Sequence, residues 1–242
     1  MLAGHFRKAA GSVSASTKTD DMKKVTSFVA ILIIIAGCKK NTTTTNITDI
    51  DGNVYNPVKI GNQVWMKENF NTTRYRNGDL IQKVTDPTAW AALTTGAWCW
   101  YNNDSANYAS TIGKLYNWFA VNDSRGFTPP GWHVPSDAEW TKLSTFLGGD
   151  AVAGGALKDT GTKHWFTPNG GATNSTEFTG LPGGRRHQIG IFKDLGIYGI
   201  WWSSTEIDTT KAWSRSIFHA ISFIHLGGAW KGDGVSVRCL RD

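Results

Sequence analysis

Three regimes of hydrophobic patterning follow one another along this chain of 242 residues. The first is a largely apolar run from Val25 to Ile35, preceded by Lys23-Lys24, closed by Cys38 and followed by the polar tract Asn41 to Asn46. The second, from about Thr48 to Phe178, mixes a hairpin with helical periods. Val54 to Ile60 and Gln63 to Met66, joined through Gly61-Asn62, predict a β-hairpin, because Gly-Asn permits the primed turns that match strand twist. Asp86-Pro87 predicts a short helix through about Leu93, with Asp as cap and Pro in the first turn. Another helix is expected over Gly113 to Val121, where Leu115, Trp118 and Phe119 share a face. Ser136-x-x-Glu139 is a capping box ahead of Trp140, Leu143 and Leu147, and Gly148-Gly149 ends that helix. A further short helix is expected over Ala151 to Leu157. In the third regime the pattern turns to short β segments: Trp201 to Thr205, Ala212 to Phe218, Ile221 to Leu226 and Val235 to Leu240. Helices mostly precede strands, which argues for an α+β domain with a twisted, mainly antiparallel sheet built from late short strands.

The first apolar run is too short for a bilayer span, which needs roughly 20 residues, but it suits the hydrophobic region of an export signal. Ile35-Ala36-Gly37-Cys38 resembles the lipobox of bacterial lipoproteins, which makes the Cys38 thiol the lipid-attachment point. A buried core helix or a retained anchor is the competing reading, and the run lacks a capping pattern. On this basis residues 22–37 are a lipoprotein signal peptide, 38–47 a Thr-rich tether and 48–242 the domain; residues 1–21 read as an upstream mis-start ahead of Met22. The expected location is the cell envelope, as an outer-membrane lipoprotein facing the periplasm or the surface.

The formal charge of +6 points at first to an acidic partner. Five basic and two acidic residues precede Cys38, however, so the chain from Cys38 onward carries an ordinary +3. Basic residues there cluster no further than pairs such as Arg185-Arg186, and no nucleic-acid motif occurs, which excludes that class of partner. With Cys38 assigned to lipid, Cys99 and Cys239 remain, and two thiols in an oxidising compartment imply one disulfide. Closing so long a loop is worth about 4 to 5 kcal/mol at most in the chain-entropy model. Two buried free thiols are the alternative. Twelve Trp and 27 Gly with 18% charged residues describe a loop-rich fold filled by large rings.

Six segments carry a family resemblance: Trp98-Cys99-Trp100-Tyr101-Asn102-Asn103-Asp104, Gly113-Lys114-Leu115-Tyr116-Asn117-Trp118, Gly131 to Trp140, Leu181-Pro182-Gly183-Gly184-Arg185, Trp201 to Glu206, and Val235 to Asp242. In this order they resemble the Fibrobacter succinogenes major paralogous domain, a family common in secreted and lipid-anchored proteins of Bacteroidetes and Fibrobacteres. The resemblance implies a C-type-lectin-like fold related to the scaffold of formylglycine-generating enzymes, and brings no established activity. One departure is Gly234-Val235, where the family has Gly followed by Phe or Tyr.

Catalysis has little to stand on. The chain has no G-x-S-x-G elbow, no H-E-x-x-H and no phosphate-binding glycine loop, and both domain cysteines lie in segments that read as structural. No cofactor and no metal site are expected. His219 and His225 would sit about 20 Å apart on a straight strand. Asn102-Asn103-Asp104 offers hard oxygen ligands of the kind lectins use for calcium, but it precedes two helices, whereas the lectin segment lies near the C-terminus; an Asx turn is the plainer reading. Aromatic recognition fits better, because an exposed ring stacks on sugar or peptide while amides and Arg set orientation. The candidates are Trp100, Tyr101, Asn102, Asp104, Arg185, Arg186, Trp201, Trp202 and Trp230, each against the alternative of core packing. The expected function is a membrane-anchored, non-catalytic binding lipoprotein for an extracellular glycan or protein. A structural or assembly component of the envelope is the alternative, and an enzyme on a formylglycine-generating scaffold comes third.

Overall fold

A computed structural model describes residues 45–242. The expected leader, Cys38 and the expected tether up to Thr44 lie outside the described residues. Among the described residues no helix is long and apolar enough to cross a membrane.

The domain opens on small antiparallel pairs. β1 (Ile47–Thr48) pairs with β2 (Val54–Tyr55), so ordered pairing begins one residue inside the expected tether. β3 (Pro57–Ile60) and β4 (Gln63–Met66) form the expected hairpin, with Gly61 at φ 60° in the turn. β5 (Gln82–Lys83) lies parallel to β6 (Ala97–Cys99), with α1 (Pro87–Ala91) between them; Asp86 caps α1 by accepting from Ala89 N at 2.7 Å. After a single helical turn at Tyr101–Asn103 comes α2 (Ser105–Tyr108).

The helix expected over Gly113 to Val121 is only half formed. Leu115–Tyr116 is β7, paired with Trp98 and Cys99 of β6, and the helix α3 is confined to Trp118–Val121. Asn117 explains the break: its Oδ1 accepts from both Ala97 N (2.9 Å) and Ala120 N (3.2 Å), ending the strand and capping the helix at once. After β8 (Trp132–His133), the capping box starts α4 (Asp137–Phe146), with Glu139 Oε2 accepting from Ser136 N at 2.8 Å. α5 (Asp150–Leu157) follows.

The second half holds β9 (Arg185–Arg186), β10 (Phe192–Lys193) and the longest strands: β11 (Tyr198–Glu206), β12 (Lys211–Phe218) and β13 (Ile224–Trp230), an antiparallel meander. His219 and His225 therefore do not share a strand; the β12–β13 reversal separates them. The strand expected over Val235 to Leu240 shortens to β14 (Leu240–Arg241), which joins β4 and β8. Its missing residues are nonetheless tightly bonded. Arg186 pairs with Gly234, Tyr116 with Val235, and Trp201 with Ser236, and Val237 and Cys239 carbonyls accept from Phe70 and Met66. Gly234 to Leu240 thus runs buried through the centre as a seam joining several sheets, and no ladder forms because each residue bonds a different neighbour. Among the described residues the fold is mixed α/β, with mostly antiparallel small sheets and few short helices.

One correction concerns the cysteines. Cys99 and Cys239 are both free and fully buried. They pack into separate clusters, Cys99 with Trp90, Tyr101 and Leu115, and Cys239 with Tyr55, Trp98 and Val237, so each sulfur fills an apolar niche of its own. Burial pushes the Cys99 thiol up to about 12 and raises Cys239 as well.

Candidate functional site

Most of the expected binding residues turn out to hold the core together. Trp201 and Trp202 are fully buried; the Trp201 indole donates to Asn69 Oδ1 (2.9 Å) and that of Trp202 to Tyr116 O (2.8 Å). Trp100 is buried beneath the Lys114 ammonium, 4.5 Å from its ring centroid, and Tyr101 packs edge-on to Tyr108. Arg186 is fully buried, donating to Val84 O, Thr85 O and Gly190 O between the rings of Trp90 and Phe192. These five are corrected to structural residues, since all of them are buried in the domain.

The acidic-amide segment is local architecture too. Asn102 and Asn103 adopt left-handed φ of 50° and 56°, and Asp104 caps α2 by accepting from Asn107 N and Nδ2 (3.1 and 2.6 Å). Those hydrogen bonds lower the Asp104 pKa. The described residues contain no group of three or more His, Cys, Asp or Glu placed to hold a metal ion.

Two candidates reach the surface. Arg185 is half-buried, with Nε 2.9 Å from Asp194 and Nη1 3.9 Å from Asp233. Trp230 is 37% exposed, and it is the one exposed tryptophan of the twelve; Trp213 is intermediate and the others are buried.

Trp230 forms one wall of a hollow of about 270 Å³, with Trp90, Leu93, Phe119, Gln188 and Thr209 around it. Each wall has a local cause. The end of β13 delivers Trp230, and the Trp90 indole fixes the next turn by donating to Gly232 O at 2.9 Å. The β11–β12 turn presents Thr209 because Asp208 Oδ1 accepts from Thr210 N (2.7 Å) and Lys211 N (2.9 Å). Asp233 is almost fully buried and anchors the remaining wall, its Oδ1 accepting from Gln188 N at 2.7 Å. Burial raises the Asp233 pKa, and its Oδ2 is left without a hydrogen bond. Lys211 lies 4.5 Å from the Trp230 ring centroid. The Trp230 indole N–H, the Gln188 side-chain amide and the Thr209 hydroxyl have no hydrogen-bond partner among the described residues, so an aromatic face and three spare polar groups converge on one hollow.

Larger and smaller depressions differ in this respect. The largest, about 520 Å³, is lined by Glu68, Asn69, Asn71, Asp159, Lys163 and His164 among others. Five of those six side chains are already spent within the fold: Glu68 accepts from Asn56 N and Nδ2, Asn69 is bonded at both ends, Asn71 accepts from Lys114, and Asp159 pairs with His164 at 2.9 Å. A third hollow, about 240 Å³, lies on the face of the β11–β13 sheet between Arg185, Tyr198 and His225. Sequence reasoning reached Trp230 and Arg185 but missed Gln188, Thr209 and Phe119. Nothing in a lone Gln or a turn Thr distinguishes it before the fold sets it beside an open ring.

No curated protein matches the chain. A family model described as the Fibrobacter succinogenes major domain matches residues 58–241, which takes in all of β3 but Pro57 and every element from β4 to β14. The chain therefore belongs to the Fibrobacter succinogenes major domain family.

Proposed function

We propose that this chain is a lipoprotein of the outer membrane, anchored through Cys38, whose C-type-lectin-like domain binds a glycan in the Trp230 hollow without chemistry. The anchor rests on the lipobox-like Ile35-Ala36-Gly37-Cys38, and the mixed α/β build with small antiparallel sheets supports the fold. The observation that carries the binding site is Trp230, the one exposed tryptophan of the twelve, flanked by unpaired polar groups. The C–H face of a pyranose would stack on the indole while its hydroxyls take the Gln188 amide and the Thr209 hydroxyl. Absence of chemistry is supported by the thiols: burial keeps both protonated and out of solvent, so neither is a nucleophile at neutral pH.

Titration of purified protein against glycans first found on an array tests the site. Trp230→Ala should weaken binding at least tenfold, about 1.4 kcal/mol, while Lys163→Glu in the largest cleft leaves it unchanged. Silence across the array, or loss in Lys163→Glu alone, would overturn the assignment. Labelled palmitate incorporated by the wild type and lost in Cys38→Ser tests the anchor.

A further inference from the structure

Sheet edges in this fold are mostly closed. Along β11, Trp202 N donates to Ser236 O (3.1 Å), Ser204 N to Pro135 O (2.9 Å), and Tyr198 O accepts from Gly184 N (2.9 Å). These outward groups are on even-numbered residues, so Gly199 and Trp201 bond β12, the even residues of β12 bond β13, and His225, Gly227 and Ala229 are their partners. The outer row of β13 is then Ile224, Leu226, Gly228 and Trp230. Just before it Ser222 O is taken by Gly155 N of α5, and at its far end Trp230 O is taken by Asp233 N. Between these seals the backbone groups of Leu226 and Gly228 have no partner among the described residues.

Edge strands are ordinarily protected by charge, proline or a bulge. β13 has none of these: no Asp, Glu, Lys, Arg or Pro occurs from Ser216 to Trp230, and its register with β12 is continuous from Ile224 to Trp230. Exposed apolar side chains lie along this edge: Leu226 in the row itself, Ile207 against Gly228, and Ile221 and Phe223 just before the strand. We infer that β13 pairs with β13 of a second copy, antiparallel, about a two-fold axis at Gly227.

Self-complementarity selects the second copy as the occupant. In that register Leu226 of each copy lies opposite Gly228 of the other, so in the open stretch the bulky residue meets the one without a side chain, in both directions, and Ile224 falls opposite Trp230. Both Leu226–Gly228 pairs are of the hydrogen-bonded kind and form four backbone hydrogen bonds. Gly227 faces itself at the closely spaced position, where Cα atoms approach about 4.5 Å. Two three-stranded meanders then become one continuous sheet, and the hollows beside Arg185 and His225 come to lie on the same face.

Cross-linking and mass measurement test this on the full chain carrying Cys38→Ser, so that the only accessible thiol is an introduced one. Gly227→Cys should oxidise to a disulfide-linked dimer, because the separation across the axis is within disulfide reach. A Cβ at this glycine meets only the movable ring of its neighbour His225, at 3.2 Å, so the variant should fold. Asn77→Cys, in a distant exposed turn, is the control and should stay monomeric. In sedimentation equilibrium the Cys38→Ser chain should show twice the monomer mass, and adding Leu226→Lys should weaken the dimer at least tenfold while circular dichroism stays native. Monomer mass for the Cys38→Ser chain at tens of micromolar, or cross-linking of Gly227→Cys no greater than that of Asn77→Cys, would overturn the pairing.

Discussion

Trp230 and Arg238 lie close in sequence near the C-terminus, and both are residue types that make good binding anchors, yet the fold uses them in opposite ways. Arg238 is fully buried, donating to Met66 O, Lys67 O, Phe178 O (2.6 Å) and Asn69 Oδ1 (2.8 Å), with its guanidinium 4.1 Å from the Phe178 ring centroid. Trp230 has an open ring face and an unpaired indole N–H at the rim of a hollow. The difference teaches that residue type is a poor guide to recognition in this fold, and that unspent hydrogen-bonding capacity is a better one. The interior cations extend the lesson: Arg186 is held by three carbonyls and two rings, and the Lys158 ammonium by the carbonyls of Gly170, Phe218, His219 and Ile221, none of them with a carboxylate partner among the described residues.

The sharpest way to break this contrast is to empty both positions. Arg238→Met leaves three carbonyls without their donor and Asn69 Oδ1 with the Trp201 indole alone, and should cost about 3 to 5 kcal/mol of unfolding free energy by urea denaturation. Trp230→Ala should cost only about 1 kcal/mol, as expected for a partly exposed ring. Equal losses would mean that Trp230 is core after all.

A finer comparison uses two adjacent arginines. Arg186→Lys keeps the charge but cannot span three carbonyls with one planar fork, and should cost about 2 kcal/mol. Arg185→Lys, at a half-exposed ion pair with Asp194, should stay within about 0.5 kcal/mol. If the two variants behave alike, the distinction between spent and spare donors fails at this pair.

The thiols give a smaller effect with a distinct signature. Cys99→Ala and Cys239→Ala should each cost about 1 kcal/mol, and the double variant should lose the sum, because the two sulfurs sit in separate clusters. A bridge would make either single variant as costly as the double.

How much of this was legible beforehand follows the range of the interactions involved. The hairpin at Gly61-Asn62 and the helix behind Ser136 and Glu139 were readable because their causes lie within four residues. The break at Asn117 was not, since it depends on Ala97 reaching the same side-chain oxygen, and the central seam was read as an ordinary strand because apolar alternation does not reveal that each residue bonds a different sheet. The same limit applied to the site. Trp230 could be named as an aromatic, but the order of exposure among twelve tryptophans is a property of packing. The inference of a disulfide failed for a related reason: compartment and parity count sulfurs without locating them.

Acid sensitivity provides the smallest test, and it separates surface cations from interior ones. Arg125 is clamped by a carboxylate: Asp123 accepts from Arg125 Nε and Nη2, both at 2.8 Å, and these hydrogen bonds lower the Asp123 pKa from 3.8 to about 2. Because the folded value lies below the unfolded one, the contribution of this pair is fully present above about 3.8 and is lost as pH falls toward about 2. Asp123→Asn should therefore lower stability slightly at neutral pH, and the gap between variant and wild type should close over that acid window. The loss from Arg186→Lys should not change across the same window, because its partners are carbonyls and rings that do not titrate. Parallel pH profiles for the two variants would show that the interior guanidinium depends on a carboxylate after all, and that the division between its carbonyl cage and the paired surface is drawn in the wrong place.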